Sequence, residues 1–88
     1  MTNCNTKPLF EAGKARVHEI AQDLARVQFI LDLMTEGERR GIVLEPIEHD
    51  FLLRVYSEHR NATAPDIHPG DRNIIDSLRT QYVDLLNS

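Results

Sequence analysis

The sequence predicts an all-α protein, a three-helix bundle with one long helix followed by two shorter ones. Three observations predict it. From Phe10 to Met34 the apolar residues recur every three or four positions, which is the repeat of an amphipathic helix. Two later stretches, of about 16 residues each, carry the same spacing. The connectors between them, Gly41–Pro46 and Ala62–Gly70, hold the glycines and prolines that interrupt helices.

The first helix is expected over about residues 8–38, after a flexible leader at residues 1–7. Pro8 suits a first turn, where its missing N–H removes no helical bond. The positions Phe10, Gly13, Val17, Ile20, Leu24, Val27, Leu31 and Met34 alternate by three and four, and all but Gly13 are apolar. That heptad-like seam is compatible with a short coiled coil. Gly41 is the expected stop, behind Arg39 and Arg40, whose charge suits a helix C-terminus. Ile42–Leu44 then crosses the edge of the core as an extended piece.

The second helix is expected over about residues 46–61, with Pro46 in its first turn. Ile47, Phe51, Leu52, Val55 and Tyr56 form its apolar face, and Asp50, Arg54 and Glu58 an i, i+4, i+8 charge ladder on the other. Pro65 and Pro69 block its continuation. The third helix is expected over about residues 71–86, with Asp71 as N-cap and Ile75, Leu78, Tyr82 and Leu85 as its seam. Residues 8–88 thus form a single helical domain.

Length and composition limit the functional classes. Eighty-eight residues make one domain with a thin core, and small helical chains often compensate by associating. Ten Lys and Arg against fourteen Asp and Glu give a net charge of −4, and only Arg39 and Arg40 are adjacent. Nucleic-acid binding, which needs a dense positive surface, is disfavoured. The single cysteine, Cys4, cannot form an internal disulfide and fits a reducing cytoplasm. No apolar stretch is long enough to span a membrane.

No catalytic, metal or cofactor site is expected. His18, His49, His59 and His68 form no metal-binding motif, and Ser57, Ser77 and Ser88 have no nucleophile elbow around them. The four glycines are dispersed, so no phosphate loop exists. The many carboxylates read as solvated charge, and Tyr56 and Tyr82 as core residues with hydroxyls at the surface.

Helix lengths point instead to association. A first helix of about 30 residues spans roughly 45 Å, whereas helices of about 16 residues reach only about 24 Å. Two such helices folded back cannot cover the whole seam, so part of it faces another chain, or the helix breaks near Gly13. A second stripe, Ala25, Phe29 and Leu33, lies away from the seam with Ile30 between the two faces. A helix apolar nearly all round is buried from both sides. The expected partner or dimer interface is therefore Val17, Ile20, Leu24, Ala25, Phe29, Ile30 and Leu33, with helices two and three straddling helix one as the competing arrangement.

Two short stretches carry a family resemblance. Gly41-Ile-Val-Leu-Glu45-Pro46-Ile47-Glu48 is similar to the Gly-x-x-Val-x-Asp-Pro-x-Arg-Glu connector of all-α chorismate mutases, and Ile74-Ile75-Asp76-Ser77-Leu-Arg-Thr-Gln81 to their last-helix Ile-Ile…Ser-x-x-x-Gln pattern. The resemblance implies a dimer intertwined through the long helix, with Ser77 and Gln81 lining a pocket. It also implies cations that clamp a dicarboxylate. Here Glu48 stands at the connector arginine, Glu36 near the expected lysine and Pro8 near the first-helix arginine, and those replacements would repel such a substrate.

The expected function is a non-enzymatic helical protein–protein interaction module, a cytoplasmic homodimeric regulator or adaptor without a cofactor. The alternatives are an enzyme of chorismate-mutase-like architecture and a nucleic-acid-binding regulator.

Overall fold

The structure, a computed structural model, describes the backbone of residues 3–87 and the side chains of residues 16–87. The leader residues Met1 and Thr2 lie outside it, as do the side chains of Cys4, Pro8 and Phe10. Three helices follow in order: α1 (Asn3–Glu36), α2 (Pro46–His59) and α3 (Pro69–Leu86). The all-α three-helix arrangement is as expected from the periodicity, and no strand occurs among the described residues.

The helix boundaries differ from expectation in ways that have physical causes. α1 begins at Asn3, within the expected leader, and passes Gly13 without a break. Pro8 therefore falls in the helix's second turn. At the other end the regular helix stops at Glu36, and the chain turns through Gly37–Gly41. The Ile42 N–H donates to the Gly37 carbonyl at 2.8 Å and the Gly41 N–H to the Glu38 carbonyl at 3.1 Å. With Gly41 at φ +82° this is a Schellman close, and it delivers Ile42 into the core at 6% exposure. Val43 then points to solvent and Leu44 back towards the core, the alternation of an extended strand-like piece.

α3 starts two residues before the expected Asp71. Pro69 occupies its first turn, as Pro46 does in α2, and His68 is the N-cap. The His68 Nδ1 accepts the Gly70 N–H at 3.0 Å. A proline expected to block a helix here begins one. Glu48 closes the start of α2 by accepting the Glu45 N–H at 3.0 Å.

Both short helices pack on the C-terminal half of α1. The core is Val27, Phe29, Ile30 and Leu33 from α1, Ile42 from the turn, Leu52 and Val55 from α2, and Ile75 and Leu78 from α3. Ile67 joins it from the connector at 1% exposure, over a buried Pro65. At 1.5 Å per residue α1 is about 51 Å long and α2 and α3 only about 21 and 27 Å. The radius of gyration, 16.3 Å, accordingly exceeds the about 12 Å of a compact chain of this length. The N-terminal part of α1 projects from the bundle.

Candidate functional site

The expected interface residues divide. Phe29 (7% exposed), Ile30 (0%) and Leu33 (1%) lie in the chain's own core. The second stripe is thus covered from within: α2 and α3 straddle the C-terminal half of α1, and between them they reach Phe29 and Leu33. Ala25, the third member of that stripe, is exposed. The seam itself also splits. Val27 is buried and Met34 packs against the core, while Val17 and Leu24 remain 68% and 43% exposed, with Ile20 half-buried. At about 100° per residue, Val17 and Leu24 lie between about 120° and 180° around the axis from Ile30 and Leu33. They belong to a stripe on the outer face of α1, running through Ala21 and Ala25 to the partly exposed Leu31.

What turns α1 so that this stripe faces outward is a polar side chain absent from the expected set. Asp23 lies at 1% exposure on the inward face, between Ile20 and Val27. Four N–H groups converge on its two oxygens. Arg72 donates from Nε to Oδ1 at 3.0 Å and from Nη2 to Oδ2 at 2.7 Å; Arg26 Nη1 donates to Oδ1 at 2.8 Å and the Ile67 N–H to Oδ2 at 3.2 Å. Arg26 also grips Asp76 with two bonds of 2.9 Å. The chain Arg72–Asp23–Arg26–Asp76 therefore ties α1 to α3 twice and to the connector once.

Burial alone would raise the Asp23 carboxyl, but Arg72, the Ile67 N–H and Arg26 outweigh it and hold the group below the ordinary carboxylate value. Asp76 is held low chiefly by its paired bond from Arg26, and the carboxylates in turn raise Arg26 and Arg72. No buried side-chain polar atom among the described residues lacks a partner. The buried atoms of the network are all paired within the chain.

Of the depressions beside the short helices among the described residues, the largest, of about 500 Å³, lies between the α1–α2 turn and the start of α2, and two more involve α3. One, of about 310 Å³ between α1 and α3, is lined by Gln22, Arg26, Asp76, Arg79 and Thr80. Its Arg26 is engaged with two carboxylates, and Arg79 lies over the Phe29 ring at 5.9 Å from the centroid. The other, of about 320 Å³ between α2 and α3, is apolar and lined by Ile47, Glu48, Phe51, Ile74 and Leu78. Ile47 and Ile74 are 74% and 48% exposed. The nearby Tyr82 phenol is pushed up by burial and by the charges of Glu48 and Glu45, so this rim is acidic.

Ser77 and Gln81, which the chorismate mutase resemblance would place in a pocket, are exposed. The α2–α3 groove one turn away is lined by four apolar side chains and a carboxylate, a set unsuited to clamping a dicarboxylate. No group of three or more His, Cys, Asp or Glu among the described residues is placed to hold a metal ion. No described helix is long and apolar enough to cross a membrane.

The sequence signal for the network was present but ambiguous. Asp23 falls on the inward row Ile20–Asp23–Val27–Ile30, where an acid needs a partner, and Arg72 and Asp76 are spaced i, i+4 on a distant helix. Their pairing across 49 residues of sequence is visible only in the fold. No protein-family model, no curated protein and no solved structure matches this chain.

Proposed function

We propose that the protein is a non-enzymatic helical interaction module that self-associates through the outer face of α1, and acts as a small regulator or adaptor. The observation that carries this reading is the exposure of Val17 and Leu24, 68% and 43%, on a helix whose opposite face, from Asp23 to Leu33, packs into the chain's own core. Apolar side chains held outward in a row on a rigid helix favour a protein partner, because covering them removes apolar surface from water at about 25 cal/mol per Å². Ala21, Ala25 and Leu31 extend the row.

Light scattering at tens of micromolar tests the reading, alongside a Val17→Glu/Leu24→Glu variant. A dimer in the wild type and a folded monomer in the variant support it. A strictly monomeric wild type, or a variant that dimerises as well as the wild type, overturns it.

A further inference from the structure

We infer that the depression between the α1–α2 turn and the start of α2 is a docking site for a short extended peptide in which Lys or Arg alternates with apolar residues. The site is separate from the outer face of α1 and stands whether or not the chain self-associates.

Size and floor come first. The depression holds about 500 Å³, within the span of about 300–1,000 Å³ typical of ligand sites. Leu33 and Met34 of α1 line it together with Ile42 and Leu44 of the connector. Leu33 and Ile42 are buried in the core, and Met34 and Leu44 pack against it, so the apolar floor is already formed in the single chain. Val43, also in the lining, is 86% exposed, more than any other large apolar side chain among the described residues.

The backbone then selects an extended occupant. Residues 42–45 run between the turn and α2 without joining a sheet. The Ile42 N–H is spent on the Gly37 carbonyl and the Glu45 N–H on the Glu48 side chain. Between them, the N–H groups of Val43 and Leu44 have no partner among the described residues. In an extended chain the N–H and carbonyl of one residue point to the same edge, and those of the next residue to the other. Val43 therefore presents a donor and an acceptor together on the edge away from the Ile42–Gly37 bond. That is the pair an added strand uses.

Charge selects the side chains. The rim carries Glu38 from the turn, and His49 and Asp50 from α2. Asp50 is 83% exposed, and the His49 Nδ1 stays 3.9 Å from its Oδ1, beyond hydrogen-bond length. Among the described residues no Lys or Arg lines the depression. Arg39 and Arg40, close to Glu38 in sequence, lie outside the lining, and Arg39 pairs with Glu36. Two carboxylates with no cation between them, beside an apolar floor, complement a strand that places apolar side chains on one face and cations on the other.

Titration of the isotope-labelled protein with acetyl-Val-Arg-Val-Lys-Val-amide, read by NMR, tests the assignment. Amide shifts confined to residues 33–50, with a Kd below about 1 mM, support it. Glu38→Gln/Asp50→Asn changes two exposed carboxylates, so it should keep the thermal midpoint while weakening binding at least about tenfold. The acidic counterpart, acetyl-Val-Glu-Val-Glu-Val-amide, should not bind. Peptides N-methylated on the valines, or on Arg and Lys, block one backbone edge each, and one of the two should lose binding. If both bind as the parent does, the strand pairing fails. An absence of shifts at about 1 mM peptide, equal binding to the Gln/Asn variant, or shifts centred on the outer face of α1 overturn the proposal. Shifts of residues 42–50 on dilution of the protein alone would mean that a second copy fills the depression, and overturn it as well.

Discussion

Arg72 holds Asp23 through two parallel hydrogen bonds, Nε to Oδ1 and Nη2 to Oδ2, across a sequence separation of 49 residues. The pair fastens the middle of α1 to the first turn of α3. It lies at the lower edge of the apolar core, where Ile67 donates its N–H to the same carboxylate. The tie also fixes the rotation of α1, turning Asp23 and Ile30 inward and Leu24 outward.

Removing Asp23 should be costly, because Arg72, only 20% exposed, then loses both hydrogen bonds to its buried partner. Asp23→Ala is expected to destabilise the fold by about 3 kcal/mol, within the usual range for breaking a buried pair. Arg72→Met should cost less, since Arg26 and the Ile67 N–H still serve Asp23. Urea denaturation of both single variants and the double variant checks this. A double variant as unstable as the sum of the singles would show that the two side chains are not coupled.

The same network dictates the response to acid. Asp23 and Asp76 have folded-state values below the ordinary carboxylate value of 3.8. Near that value the unfolded chain binds more protons than the folded one, so their contribution is fully present above about pH 5 and is lost as pH falls through the folded values. Stability should be nearly flat from about pH 5 to 7 as far as these groups are concerned, then drop below about pH 4. Asp23→Asn should flatten that acid limb in a pH series of thermal melts. An acid limb of unchanged slope would place the responsible carboxylates elsewhere.

Two glycines in the α1–α2 turn should respond differently from ordinary helix glycines. A Cβ at Gly37 would overlap the Leu33 carbonyl oxygen, and Gly41 holds φ +82°. In an exposed helix interior, Gly→Ala stabilises by up to about 1 kcal/mol. Here Gly37→Ala should destabilise instead, and Gly41→Ala should cost about 1–2 kcal/mol through its left-handed backbone. Chemical denaturation distinguishes the signs.

How far the sequence was legible varies by element. The three helices followed from apolar spacing because that spacing reports burial on one face, and Pro46 and Gly41 behaved as local chemistry requires. Pro69 was ambiguous, since the same ring that ends one helix can begin the next. Spacing alone points Phe29, Ile30 and Leu33 at a partner because it reports that a face is covered and not by what; in the single chain all three lie in the core. The covering residues, Leu52 and Ile75 among them, come from other segments whose placement depends on the angle at which the helices straddle α1. Asp23 was hidden for a related reason: an acid on an apolar row looks solvated until its cations, 3 and 49 residues away, are brought to it.

That division of the long helix makes a sharp contrast testable within nine residues. Leu24 and Leu33 are both apolar members of α1, at 43% and 1% exposure. Leu33→Glu places an unpaired carboxylate among core side chains, and should destabilise by several kcal/mol or abolish folding. Leu24→Glu meets solvent and should change intrinsic stability by no more than about 0.5 kcal/mol. Thermal melts at about 1 µM and about 100 µM separate folding from association. Wild type should gain stability with concentration if a dimer forms, and Leu24→Glu should lose that dependence while keeping the low-concentration midpoint. A Leu24→Glu chain as unstable as Leu33→Glu would mean that α1 is rotated from the orientation fixed by Asp23 and Arg72.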